Sequence, residues 1–431
     1  MDKFGKNNEK LRPARIVTLG CRLNQADSAL LTDRLEQLGF YLQSDHEQTA
    51  PELLIVNSCA VTAAAAAKSR QAARKLQKLY PGAKLIFTGC AAEIDDQYAA
   101  DESWLKLGNL QKRQLGDILL AGSAPDVIKS RAGKAENFAE KAFSLFPNRT
   151  RAFIKIQEGC DNFCSYCIVP YTRGPSRSRD FDEVIADCRQ AIAAGAPELI
   201  LTGVNTCNYL DHGRDLCAVI RELCENVPGS WRLRLSSTEP APDNLSLLET
   251  MAAYPDRVCR FLHLALQHGC DSVLERMNRH YTTSDFENFV NTARELIPDI
   301  HLGSDVIVGF PGESEAEFER SFEFIRKMQF ANLHVFSYSK RQGTFAATMP
   351  QQLPDAVKKL RHSRLEALGE GMKSDFRNAM RGKTLPVIFE TVDSSNVAHG
   401  WSDNYIAVTA PAAEVTLGRI TNIAFDPDKA Q

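Results

Sequence analysis

The chain has 431 residues, 44% of them hydrophobic and 24% charged, with a formal net charge of −3. That length exceeds one ordinary core and implies two or three domains, while the charge balance excludes a protein that is basic throughout, so any nucleic-acid surface must be local. The opening MDKFGKNNEKLRPAR lacks the apolar core of a signal peptide and no apolar run reaches a membrane span, so a cytoplasmic protein with reduced thiols is expected.

Three strand-then-helix units come first. ARIVTLGC leads into a helical pattern over about 25–38, LLIVNSC into one over about 63–79 with Thr62 as N-cap, and KLIFTGC into a further helix. Short strands alternating with helices imply a parallel sheet in an α/β domain over residues 1–125. Each strand run is followed at once by a cysteine: Cys21, Cys59 and Cys90. Ligands bind beyond the carboxyl ends of parallel strands, so these three are expected at one rim although they lie far apart in sequence.

Residues 126–150 hold Gly, Pro and Ser without clear periodicity and read as a linker. From 151 to 375 six strand-like runs (AFIKIQ, ELILTG, WRLRLSS, RFLHLAL, HLGSDVIVG, NLHVFSY) alternate with helical patterns, which predicts a partial (β/α)6 barrel with its active site at the carboxyl strand ends. Residues 376–431, after a basic helix, read as short strands with Asn, Asp, Ser and Gly turns, and predict a small C-terminal β-barrel.

Just past the first barrel strand stands GCDNFCSYC, which puts Cys160, Cys164 and Cys167 into one short loop. A fully ligated four-iron cluster takes four thiolates, so three leave one iron free to chelate a small molecule such as S-adenosylmethionine (SAM). Zinc is the alternative, with Cys164 and Cys167 at knuckle spacing and His268 or Cys270 completing the set. The other cysteines, Cys188, Cys207, Cys217, Cys224, Cys259 and Cys270, share no placement and read as small buried hydrophobes.

GCDNFCSYC resembles the signature of the radical-SAM superfamily, C-x3-C-x2-C with an aromatic before the last cysteine. FIKIQEGCDNFCSYCIVPYTRGPSRSR, RLSSTEP, HLALQHGCDSVLERMNRHYT, SDVIVGFPGESEAEF and HVFSYSKRQGT, together with TLGCRLNQADS, VNSCAVT and TGC, resemble its methylthiotransferase branch across nearly the whole chain. The resemblance implies two 4Fe-4S clusters, one on Cys160, Cys164 and Cys167 and an auxiliary one on Cys21, Cys59 and Cys90. It implies that one SAM donates a methyl group to sulfur on the auxiliary cluster. A second SAM, cleaved to a 5′-deoxyadenosyl radical, activates an aromatic C–H for methylthio insertion. It further implies SAM contacts from Tyr166, Gly203, Glu239, Gln267 and Val308, an electron donor such as flavodoxin or ferredoxin, and a terminal RNA-binding barrel of the TRAM type.

LNQADS, SRSR and HVFSYSKRQGT resemble the branch that acts on N6-threonylcarbamoyladenosine beside the tRNA anticodon. Branches acting on isopentenyladenosine or on a ribosomal-protein aspartate are the alternatives, and a zinc or iron–sulfur RNA-binding module is the non-catalytic one. Three basic groups suit phosphate contact: Arg173, Arg177 and Arg179; Lys68, Arg70, Arg74, Lys75 and Lys78; and the stripe Lys358, Lys359, Arg361, Arg364, Lys373, Arg377, Arg381 and Lys383. Beyond Thr384 only Arg419 and Lys429 are Lys or Arg.

Overall fold

A computed structural model describes residues 11–43, 47, 49–94, 104–121, 150–239 and 244–429. Apart from Thr150, the linker expected over 126–150 lies outside the described residues. Two compact units result, the first of 11–121 with Ile168–Pro175, the second of 150–167 with 176–429.

The first unit is a five-stranded parallel sheet in the order β2-β1-β3-β4-β5. Its strands are β1 (Arg12–Thr18), β2 (Phe40–Leu42), β3 (Leu53–Ser58), β4 (Lys84–Gly89) and β5 (Leu105–Leu107). Every residue of LLIVNS in β3 is buried, as expected of a central strand covered on both faces. Its two longest helices are α1 (Arg22–Gln37) and α2 (Ala63–Leu79), the latter capped by Thr62, whose hydroxyl accepts the Ala65 N–H at 3.0 Å. Strands β2 and β5 escape sequence reading because three residues are too few to show a period of two.

In the second unit the six expected strands are β6 (Arg151–Lys155), β7 (Glu198–Thr202), β8 (Arg232–Leu235), β9 (Phe261–Gln267), β10 (His301–Val308) and β11 (Asn332–Ser337). They form two parallel sheets, β8-β7-β6 and one in which Ser237–Thr238, β9, β10 and β11 run in order. Leu233 joins them through a bridge to Val258. A long helix, α3 (Asp355–Ala379), packs against β11.

Four antiparallel strands close the chain: β12 (Thr384–Val392), β13 (Val397–Ser402), β14 (Ala407–Pro411) and β15 (Ile420–Ala424), in the order β14-β13-β12-β15. This sheet is curled into a half-barrel around Leu385, Val387, Phe389, Ala398 and Val408. It docks on the amino ends of the barrel strands. Arg232 donates to the Pro386 and Trp401 carbonyls (2.8 and 2.9 Å), and Arg234 to those of Asp403 and Ser402 (2.8 and 3.0 Å). Both pair with buried Glu198, at 2.6 and 3.0 Å. With that end covered, the carboxyl ends of the strands are left for chemistry. Among the described residues no helix is long and apolar enough to cross a membrane.

Candidate functional site

The loop carrying Cys160, Cys164 and Cys167 follows β6 at a carboxyl strand end. Ser165 holds it from both sides: its N–H and hydroxyl donate to the Met277 and Arg276 carbonyls (both 2.9 Å), and its carbonyl accepts the Ala346 N–H (2.7 Å). Asn278 Nδ2 donates to the Asn162 and Phe163 carbonyls (3.0 and 3.2 Å). Phe163 sits at φ +44°, a left-handed conformation costing a non-glycine residue about 1 kcal/mol, which these bonds offset. Cys160 and Cys164 are buried, and burial, aided by Cys164 and Glu239, pushes the Cys160 thiol up to about 11. Three soft sulfur donors in one loop match an iron–sulfur cluster, which is held by cysteine thiolates. Arg279 Nη1 lies 3.1 Å from Cys164 Sγ, which places a cation beside that sulfur.

Glu239 gathers the polar partners around this loop. Its carboxylate accepts from Asn162 Nδ2 (2.6 Å) and Asn205 Nδ2 (2.7 Å) and pairs with Arg279 Nη2 (2.6 Å). Gly203 allows a close backbone approach, but by Gln157: a Cβ there would lie 2.9 Å from Gln157 Oε1 and 3.1 Å from its carbonyl oxygen. Gln157 Oε1 in turn accepts the Val204 and Asn205 N–H groups at 2.9 and 3.0 Å. Tyr166 packs with Ile307 against Phe310 and Tyr338. Gln267 ends β9 at φ +65°, where the register with β10 is irregular. Val308 is buried, its neighbour Ile307 half-buried. Cys207, read as a plain buried residue, is half-buried beside Glu239, and burial drives its thiol up to about 12.

Sequence reading missed Arg279, Asn162, Asn205 and Gln157. Arg279 stood inside a quoted motif, but an arginine flanked by Asn and His reads as solvated until Tyr281 is found beneath its guanidinium, 4.8 Å from the ring centroid. His268, considered as a zinc ligand, instead takes the Cys270 N–H on Nδ1 (3.1 Å) and faces Glu313.

In the first unit Cys59 and Cys90 stand directly after β3 and β4, and Cys21 follows β1 after Leu19 and Gly20, at the strand ends that the sequence runs predict. The rim is tight. Gly20 (φ +100°) is so close to Cys59 that a Cβ would meet its Cβ and Sγ at 2.7 and 2.8 Å, and a Cβ on Gly89 (φ +93°) would meet the Ser58 carbonyl at 2.5 Å. Both positions need glycine for conformation as well as space. Cys59 and Cys90 are buried and Cys21, at the start of α1, is exposed. Burial pushes the Cys59 thiol up to about 11, with Cys90 and Cys21 close enough to add to the shift. This donor set also suits an iron–sulfur cluster.

The arginines after the cysteine loop are not a phosphate-facing group. Arg173 is buried and bound to Asn24 Oδ1 (2.5 Å) and to Asp27 (3.0 Å), which Lys112 also reaches at 2.8 Å. Arg177 pairs with Glu158 at 3.6 Å; Arg179, fully buried, pairs with Asp187 at 2.9 Å. Most of the stripe along and after α3 is engaged likewise: Arg361 with Glu313 and Glu315, Arg364 with Glu319, Arg381 with Asp426 and Asp428, Lys383 with Asp299. Sequence shows these charges but not their partners. On α2, by contrast, Lys68, Arg74, Lys75 and Lys78 are exposed.

A partial parallel barrel with a three-cysteine loop at the carboxyl end of its first strand defines the radical-SAM class of enzyme. Residues 154–325 match the radical SAM superfamily, and residues 14–106 match the uncharacterized protein family UPF0004. The chain is 35% identical to the threonylcarbamoyladenosine tRNA methylthiotransferase MtaB of Bacillus subtilis, over 94% of this chain and 92% of that one. It is 31% identical to a tRNA-2-methylthio-N(6)-dimethylallyladenosine synthase of Desulfitobacterium hafniense, over 95% and 94%. The fold is also like that of the radical SAM methyltransferase TsrM of Kitasatospora setae, at 14% identity and a TM-score of 0.58, covering 89% of this chain and 79% of that one. The chain therefore belongs to the radical-SAM methylthiotransferase family and is an enzyme of that kind, which removes the readings as a zinc-stabilised or non-catalytic module.

Proposed function

We propose that this enzyme inserts a methylthio group at C2 of N6-threonylcarbamoyladenosine-37 in the anticodon arm of tRNA, using two SAM molecules and two 4Fe-4S clusters. The observation that carries the reading is the 35% identity to the Bacillus subtilis threonylcarbamoyladenosine enzyme along almost the whole of both chains. Cys160, Cys164 and Cys167 would hold the SAM-binding cluster, and Cys21, Cys59 and Cys90 the auxiliary one. When bound, the first supplies reductive SAM cleavage and the second supplies the sulfur site.

The chain's own residues prepare this. Glu239, fixed by Asn162, Asn205 and Arg279, offers an acceptor for SAM hydroxyl or amine groups. Tyr166 with Ile307, Gly203, Gln267 and Val308 complete the SAM surroundings. Arg279 holds positive charge beside the Cys164 sulfur. In this reading residues 1–125 are the auxiliary-cluster domain, 126–150 a linker, 151–375 the radical-SAM barrel and 376–431 the terminal RNA-binding module. A flavodoxin or ferredoxin supplies electrons.

Mass spectrometry of tRNA nucleosides tests the substrate. Cells lacking the gene lose 2-methylthio-N6-threonylcarbamoyladenosine and keep the 2-methylthio-isopentenyl nucleoside, and the wild-type gene restores the loss while Cys160→Ala does not. Loss of the isopentenyl product instead moves the enzyme to the other branch. Two cysteine-held clusters also require about eight irons per chain after anaerobic reconstitution, dropping to about four in Cys160→Ala.

A further inference from the structure

Two histidines on barrel strands converge on one carboxylate of the strand between them, a group that the proposed reaction does not use. His263 on β9 places Nε2 2.9 Å from Asp305 Oδ1 on β10, and His334 on β11 places Nδ1 3.2 Å from the same oxygen. Three ligand atoms, one from each residue, all lie within 4.8 Å of one another. They project from the face opposite the helices. On β9, Leu262, Leu264 and Leu266 are fully buried while His263 is partly exposed; on β11, Leu333 meets Gly369 of α3 while His334 is open to solvent. The group thus faces the barrel interior.

The geometry points to a divalent transition-metal site, with His263 Nε2, His334 Nδ1 and Asp305 as protein ligands and zinc or iron(II) as the cation it takes. Metal–nitrogen and metal–oxygen bonds near 2.0–2.2 Å put neighbouring ligand atoms roughly 2.9–3.4 Å apart, and the two contacts to Asp305 fall within that range. Two imidazoles and one carboxylate suit a borderline cation and leave a coordination position open. Outer contacts support the same arrangement. Asn332 Nδ2 lies 2.8 Å from His334 Nε2; with the amide turned, its oxygen takes the Nε2 proton and leaves Nδ1 free to ligate. Gly303 makes room for the His263 ring, since a Cβ there would stand 3.0 Å from Nδ1. Parallel strands in hydrogen-bonded register keep the three groups together without metal.

The test uses reconstituted full-length holoenzyme, whose cluster thiolates already hold iron, dialysed against low-micromolar zinc chloride and analysed for zinc and iron. Wild type retains about one zinc per chain more than the His263→Ala/His334→Ala variant, at equal iron. Wild type retaining no more zinc than the variant overturns the site. Should the double variant lose its iron, Asp305→Asn, which preserves the shape of the side chain, replaces it: loss of the extra zinc supports the site, and retention overturns it.

Discussion

Glu239 shows how one side chain can organise a loop. It binds Asn162 from the cysteine loop, Asn205 from the end of β7 and Arg279 from beyond β9, and Arg279 continues to Cys164. Removing the carboxylate leaves a buried guanidinium with less compensation, so Glu239→Ala should lower the unfolding free energy by about 3 kcal/mol in denaturant melts, and Glu239→Gln by less. His301 makes a pH prediction. Burial among Phe261, Phe376 and Tyr405, with the charge of Arg234 adding, pushes its imidazole down to about 3. An unfolded chain gains a proton at this histidine near pH 6.5 that the folded chain refuses. The stability is therefore whole above that pH and declines below it, by about 2 kcal/mol between pH 7 and pH 5. Thermal melts across that window should show the slope, and His301→Gln should flatten it. Neither residue's role was legible beforehand: Glu239 stood out only by resemblance, and an uncharged buried histidine looks in sequence like any other.

At the scale of elements, two helices read alike and fold differently. Both α2 and α3 carry rows of Lys and Arg, but α3 lies between β11 and acidic helix surfaces that take up its cations, with Arg364 also 4.9 Å from the Phe318 ring centroid. Helix α2, which begins four residues after Cys59, keeps its cations on the open face because its buried stripe is Ala66, Ser69, Ala73 and Leu76. If tRNA is the substrate, changing Lys68, Arg74, Lys75 and Lys78 to Glu should weaken its binding and reduce the slope of log affinity against log salt by roughly 0.7–0.9 for each phosphate no longer neutralised. Arg364→Gln should leave that slope unchanged. Filter binding over a salt series measures both. The six barrel strands and α2 were read nearly to the residue, because each has a clean apolar period or a cap. The exposure of one basic helix and the pairing of the other depend on neighbours distant in sequence.

For the whole molecule, the terminal sheet is the element whose place no local signal reveals. It covers the amino ends of β7, β8, β9 and β10 through Arg232, Arg234, Phe261 and His301. Cutting the chain after Gly382 would therefore uncover the buried charges of Arg232, Arg234 and Glu198. A cleaner probe is Arg234→Ala, which takes one arginine partner from buried Glu198 and the donor from the Ser402 and Asp403 carbonyls. It should cost about 3–5 kcal/mol and open the C-terminal strands to limited proteolysis at temperatures where wild type resists.

The α/β class, the six barrel strands, the strand-end cysteines and the three-cysteine loop all follow from the order of the residues alone. These are local in origin, set by period, turn residues and spacing that each segment carries within itself. Folding in three dimensions settles the rest: which cations face solvent, what surrounds Glu239, and that His263, Asp305 and His334 meet on one wall. Such groups come together by strand register and packing across distant segments, and burial then sets their charge state, so no single stretch of the chain contains the information.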